Sequence, residues 1–165
     1  MTDLTHFDAA GGARMVDVGG KAVTARSATA AGAIRMSAEA FRLVADGAVA
    51  KGDVLTVSQI AGTLAAKRTA ELIPLCHPLG LDHVDVSAAL DDALPGVQVR
   101  ATVRTMGRTG VEMEALTAVS VALLTVYDMV KSADREMDIL SVRLLEKTGG
   151  SRGDWRRADD PNRRR

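Results

Sequence analysis

An α+β fold, an antiparallel sheet with its helices on one face, follows from three features of this 165-residue sequence. Two stretches of alternating apolar and polar residues flank a Pro-Gly turn, the pattern of a β-hairpin. A long apolar stretch of helical character follows the hairpin. Runs of small and β-branched residues, the material of strands, lie before and after this set.

The elements can be taken in order. Residues 1–20 contain two Gly-Gly pairs and little periodicity, and are expected to be a mobile lead-in. Residues 22–36 predict the first strand. Ser37 caps a short helix running to Asp46, which Gly47 stops. Asp53 caps a second helix, where Val54, Val57, Ala61, Leu64 and Ala65 recur at helical spacing. Pro74 and Pro78 then bracket Leu75, Cys76 and His77. Each proline fixes its own φ and keeps the preceding residue out of the α region, so a stiff extended loop is expected.

Val84, Val86, Ala88 and Leu90 alternate with other residues, and Val97, Val99, Ala101 and Val103 do so beyond the turn. The long helix should run over residues 111–135, apolar around most of its circumference and so buried by more than one layer or by a second subunit. Leu140, Val142 and Leu144 suggest the last strand. With the small first helix set aside, the order is β-α-β-β-α-β, the split βαβ or ferredoxin-like plan. From Gly149 the composition falls to Gly, Arg, Asp and Pro. The expected organisation is a mobile segment over 1–20, a single catalytic domain over 21–148 and a disordered Arg-rich tail over 149–165.

Composition excludes several functions. Lys+Arg and Asp+Glu balance at 21 each, so no net field draws nucleic acid or an acidic membrane. The single cysteine forbids an internal disulfide and fits a reducing compartment. No apolar run reaches the roughly 18 residues of a membrane span, and no signal pattern opens the chain, so cytoplasm is the expected location. Aromatics are only 2% of residues, which leaves an aliphatic core. Lysine is also scarce: Lys21, Lys51, Lys67, Lys131 and Lys147 stand against 16 arginines. Burial can lower a lysine's pKa enough for proton transfer, whereas arginine stays charged. The lysines are therefore candidates for places where arginine will not serve.

Each candidate also has a bland explanation. Lys51 stands beside the second helix's N-terminus, where cation and helix end together would attract phosphate, or it is a solvated loop lysine. Lys67 flanks the apolar stripe of that helix and can simply snorkel. His77 is a metal ligand, a general acid or an oriented hydrogen-bonder. Three histidines and one cysteine without paired spacing disfavour metal. Glu112 and Glu114 occupy the long helix's first turn, where acids favour the dipole, and a carboxylate there can also accept two N–H donors from a guanine-like edge. Asp128 and Lys131 share a helix face three residues apart, as a half-buried proton-transfer pair or an ordinary ion pair.

Together these residues fall in strings of high specificity. LTHFDAAG and MVDV near the start, AKGDV, IAGTLAAKRTAELIPLCHPL, TGVEMEALTAVSVALLTVYDMVK and VRLLEKTGGSRGD occur in this order. Over residues 4–154 the chain resembles the MoaC family of molybdenum cofactor biosynthesis. The resemblance implies rearrangement of 3′,8-cyclo-7,8-dihydroguanosine 5′-triphosphate to cyclic pyranopterin monophosphate, with release of pyrophosphate. It implies Asp128 as an acid–base residue with Lys51 and Lys131 as proton-transfer partners. Leu75, Cys76, His77, Met113 and Glu114 would hold substrate, with Asp17, Lys67, Glu112 and Lys147 lining the same pocket. Lys21 receives no role. No tightly bound cofactor is implied, although Mg²⁺ can accompany the triphosphate, and the assembly implied is a hexamer of three dimers. Glu114 and Asp128, 14 residues and about 21 Å apart along the long helix, are far for one nucleotide to bridge, so sites shared across the dimer interface are expected. The rival classes are a ferredoxin-like module for RNA or a regulatory nucleotide, and a silent assembly scaffold. A sheet without base-stacking aromatics speaks against RNA.

Overall fold

A computed structural model describes residues 11–158. The strands are β1 (Thr24–Arg35), β2 (His83–Asp91), β3 (Gly96–Gly107), β4 (Asp138–Thr148) and β5 (Trp155–Arg156), and the helices are α1 (Ala38–Ala45), α2 (Val54–Lys67), α3 (Thr69–Leu72) and α4 (Glu112–Val130). The strands form one sheet in the order β2-β3-β1-β4-β5, and every neighbouring pair is antiparallel. Its first four strands follow the ferredoxin-like plan expected from the sequence.

Alternation decides which face meets the helices. Ala28, Ala30 and Ile34 of β1 and Val97, Val99, Ala101 and Val103 of β3 are buried in one core with Ala115, Val119, Leu123 and Val126 of α4. Cutting Leu123 back to alanine there would cost about 2–5 kcal/mol. Gly62 brings α2 and α4 together: a Cβ on it would lie 2.9 Å from the Ala118 carbonyl oxygen and 3.1 Å from Val86. By length and composition α4 could cross a bilayer, but here it lies against the sheet, in contact with β1, β3 and β4.

Both expected helix caps form. The Ser37 side chain accepts from the Ala40 N–H, and Asp53 accepts from the Thr56 N–H. The stripe on α2 is only partly core, since Val54 and Ala65 are buried while Val57, Ile60 and Leu64 face outward.

Four expectations need correction. Helix α4 ends at Val130 instead of reaching residue 135, because the chain turns to bring Asp134 to the start of α1. The Asp134 carboxylate there accepts from the backbone N–H groups of Ser37 and Glu136. The proline-bracketed loop is not extended throughout. It follows α3, which the sequence reading lacked, and opens with a turn closed by the Cys76 N–H on the Ile73 carbonyl.

The lead-in is partly held: its first ten residues lie outside the described region, but the Val16 carbonyl is 2.8 Å from His77 Nε2. Order also persists beyond Gly149, in the segment expected to be a disordered tail. Trp155 and Arg156 pair with Lys147 and Glu146 as β5, the Arg156 guanidinium binds the Glu146 carboxylate, and Asp154 accepts from the Gly149 N–H. Gly149 and Gly150 make this return possible. Both have positive φ, and a Cβ on either would overlap the Ala25 carbonyl or the Arg26 guanidinium. Residues 159–165 lie outside the described region.

Candidate active site

A cavity of about 390 Å³ opens where the N-terminal end of α4 meets the loop after α3. Of the expected site residues, Leu75, Cys76, His77, Glu112, Met113 and Lys147 line it. Three segments distant in sequence converge here: the lead-in, the proline-bracketed loop and the return after β4. His77 is oriented by its ring contact with the Val16 carbonyl, which ties the loop to the lead-in. Asp17 is next to that anchor, but its carboxylate is occupied by the Gly19 N–H at 2.8 Å.

The sequence reading missed the cavity's charge. Lys21, Arg26, Arg108, Lys147 and Arg152 face it against the single carboxylate of Glu112. Such an excess of one sign in a concave site attracts polyanions. Arg26 Nε is buried without a hydrogen-bond partner. Arginine's abundance hid Arg26, Arg108 and Arg152, while Lys21 was visible only as a member of the scarce lysine set.

Two expected residues lie just behind this cavity. Lys67 and Glu114 share a smaller one, about 130 Å³, with His77, which borders both. Glu114 is 3% exposed. Burial, the largest influence, raises its pKa above the usual carboxylate value. Cys76 stands between Glu114 and the main cavity, and its thiol donates to Glu114 Oε1 at 3.5 Å.

The remaining three expected residues form a separate cluster at the other end of α4. Asp128 Oδ1 meets Lys131 Nζ at 2.7 Å and Oδ2 meets Lys51 Nζ at 2.7 Å. Lys51 Nζ also donates to the Asp128 backbone carbonyl at 2.7 Å. Lys51 is thus neither a solvated loop lysine nor aimed at the start of α2. Its ammonium turns instead to the last turn of α4, where the helix's carbonyl end favours a cation. The Asp128 and Lys131 side chains are 57% and 51% exposed, so solvent reaches both members of the pair. Hydrogen bonds from Lys131, then Lys51, hold the Asp128 carboxyl down at about 2. Asp128 therefore stays ionised at any neutral pH, bridging two ammonium groups.

Glu114 and Asp128 are 14 residues apart on one helix, a rise of about 21 Å. The structure gathers the expected residues at two places, not one. Met113, Leu124, Asp128 and Lys131 lie along the outward stripe of α4 that joins the two ends, and Met113 and Leu124 are exposed. Among the described residues, no cluster of three or more His, Cys, Asp or Glu side chains is placed to hold a metal ion.

A sequence model of the MoaC family matches residues 15–150. Cyclic pyranopterin monophosphate synthases of Chloroflexus aurantiacus, strains J-10-fl and Y-400-fl, are each 59% identical to this chain over 155 residues. The matches cover 94% of this chain and 95% of each relative.

Proposed function

Since this chain belongs to the MoaC family, we propose that it converts 3′,8-cyclo-7,8-dihydroguanosine 5′-triphosphate to cyclic pyranopterin monophosphate and pyrophosphate in molybdenum cofactor biosynthesis. The observation that carries the reading is the five-cation cavity bordered by His77 and backed by buried Glu114. A triphosphate supplies the charge that the cations match, and a purine-derived ring supplies N–H donors for a carboxylate.

Forming a cyclic monophosphate requires a sugar-derived hydroxyl to attack the α-phosphorus. The hydroxyl loses its proton, the bond to the β-phosphate oxygen breaks, and pyrophosphate leaves. Cations along the cavity stabilise charge on the leaving group. Ring rearrangement demands further proton movements. Lys51 and Lys131 serve those, with Asp128 as the fixed anion that keeps both ammonium groups in place. The proposal needs no resident cofactor, and Mg²⁺ would enter with the triphosphate. We place the reaction in the cytoplasm.

One chain cannot close this site, because the lysines and the cavity lie at opposite ends of α4. Two copies packed antiparallel along the outward stripe of α4, about a two-fold axis, would bring the Met113 end of one to the Asp128 end of the other. The exposed Leu124, Ile60 and Leu64 give that contact an apolar surface. The resulting dimer has two composite sites, and three such dimers give the hexamer expected from the resemblance.

Incubating the purified protein with the cyclic triphosphate should release one pyrophosphate per substrate. Binding without release would leave a nucleotide-binding module, and neither would leave a scaffold. Mixing inactive Glu114→Ala and Asp128→Ala subunits tests the shared site. After dissociation and reassembly, half the dimers are mixed and each regains one of two pockets, so about a quarter of wild-type activity should return. Background activity after verified exchange would place the whole site within one subunit.

A further inference from the structure

Among the described residues, Glu114 is the one buried side chain that ionises. Its two oxygens differ. Oε1 accepts the Cys76 thiol at 3.5 Å, while Oε2 is buried with no partner. An unpaired carboxylate oxygen in such a place costs stability unless something else comes to it. It belongs to a residue that lines the 130 Å³ cavity beside Lys67 and His77, and it makes no ion pair with Lys67.

We infer that Cys76 is a positioning residue, whose thiol pins Oε1 of Glu114 so that Oε2 is presented as an acceptor to an N–H-donating edge of the substrate's ring. The inference rests on the reaction proposed above and adds a residue role to it. Its geometry comes from the loop: Pro74 and Pro78 restrict the backbone around Cys76, and the Cys76 N–H closes a turn on Ile73. Cys76 lines the main cavity, and its sulfur lies 3.5 Å from the Glu114 carboxylate.

The thiol is suited to donate and not to react. Burial, followed by the negative charge of Glu114, pushes its pKa up to about 11, so at neutral pH it keeps its proton. Nucleophilic or redox chemistry needs the thiolate and would require the opposite shift. Against the larger effect of burial, the backbone N–H of Glu114 itself lowers the carboxyl's pKa, and the thiol's hydrogen bond lowers it further. Other charged groups near this carboxyl are Glu112 on α4, which raises it further, and Lys67, Arg68, Glu71 and His77 around the small cavity.

Three variants distinguish donation from packing. Cys76→Ala removes the donor, Cys76→Val removes it while keeping the volume filled, and Cys76→Ser restores a donor. Without the donor, KM should rise about three- to tenfold with kcat little changed, the usual worth of one hydrogen bond. The acid limb of the kcat/KM profile should also move to higher pH, because Glu114 binds a ring edge only when ionised and has lost one of the two bonds that lower its pKa. Serine should bring both back toward wild type. A structural role alone would move neither the limb nor the contrast between valine and serine.

An unmoved limb in the alanine and valine variants, or serine behaving as they do, overturns the inference while the reaction stands. If the wild type releases no pyrophosphate, the reading of the reaction has failed instead. A ¹³C NMR titration of the Glu114 carboxyl in wild-type and Cys76→Val protein then still decides the matter. An equal midpoint in the two proteins refutes the thiol's role, and a higher one in the variant supports it.

Discussion

The two ends of α4 treat a carboxylate in opposite ways. At the C-terminal end Asp128 lies in the open between two ammonium groups, and its pKa falls to about 2. At the N-terminal end Glu114 lies in the core, and burial raises its pKa. The same functional group on the same helix is thus a permanent anion at one end and a tunable acceptor at the other. The lesson concerns cause: neighbouring charges dominate in the exposed case and desolvation in the buried one. An acid of the first kind organises cations, and one of the second can respond to what enters its cavity.

The most severe way to disturb this contrast is to remove the charge at the exposed end. Asp128→Asn should leave fold and substrate affinity intact while turnover drops by about 10²–10⁴, the range for losing acid–base machinery. Normal turnover, measured by pyrophosphate release, would break the assignment of that end to proton movement. Lys51→Arg sharpens the point, because arginine keeps the pairing with Asp128 but not a proton that can move. It should approach Lys51→Ala, about a hundredfold down. Retention of most activity by arginine alone would mean that Lys51 acts by charge only.

Effects at the cavity end should be smaller. Ending the chain after Thr148 removes Arg152 and β5, and should raise KM about tenfold, roughly the loss of one charge-assisted hydrogen bond. Ending it after Ala158 should change nothing. The smallest effect concerns stability. Because the folded-state pKa of Glu114 is raised, folding protects its proton, and stability falls as pH rises from the unfolded value of 4.5 through the folded one. Glu114→Gln should therefore melt higher than wild type at neutral pH, by about 2–4 °C per kcal/mol relieved. The gain should vanish below pH 4.5. A variant that melts lower at neutral pH would show that the ionised carboxylate is well satisfied in the fold.

What could be read from the sequence was whatever is written locally. The hairpin about the Pro-Gly turn follows from period-2 alternation, and the caps at Ser37 and Asp53 lie within three residues of the groups they satisfy. Two of the misreadings involve partners far along the chain. Helix α4 ends where Asp134 meets Ser37, 97 residues away, and Lys51 finds Asp128 across 77. Periodicity carries no information about such pairings. The site residues emerged as a set through resemblance, and helix geometry already put Glu114 and Asp128 about 21 Å apart on the long helix; which end of α4 the lead-in, the loop and Lys51 each reach was not legible. Strand β5 escaped because only two residues pair, in a stretch whose Gly and charge content is that of a loop.

That short strand carries the chain's one tryptophan. Trp155 is 43% exposed and stands in register with Lys147, whose side chain lines the cavity and whose ammonium donates to the Gly153 carbonyl. Indole emission moves to the blue as the ring leaves water and to the red as it enters. An anion that drew Lys147 away from Gly153 would loosen the turn leading into β5 and change the ring's surroundings. The fluorescence of this single side chain should then report cavity occupancy without a label.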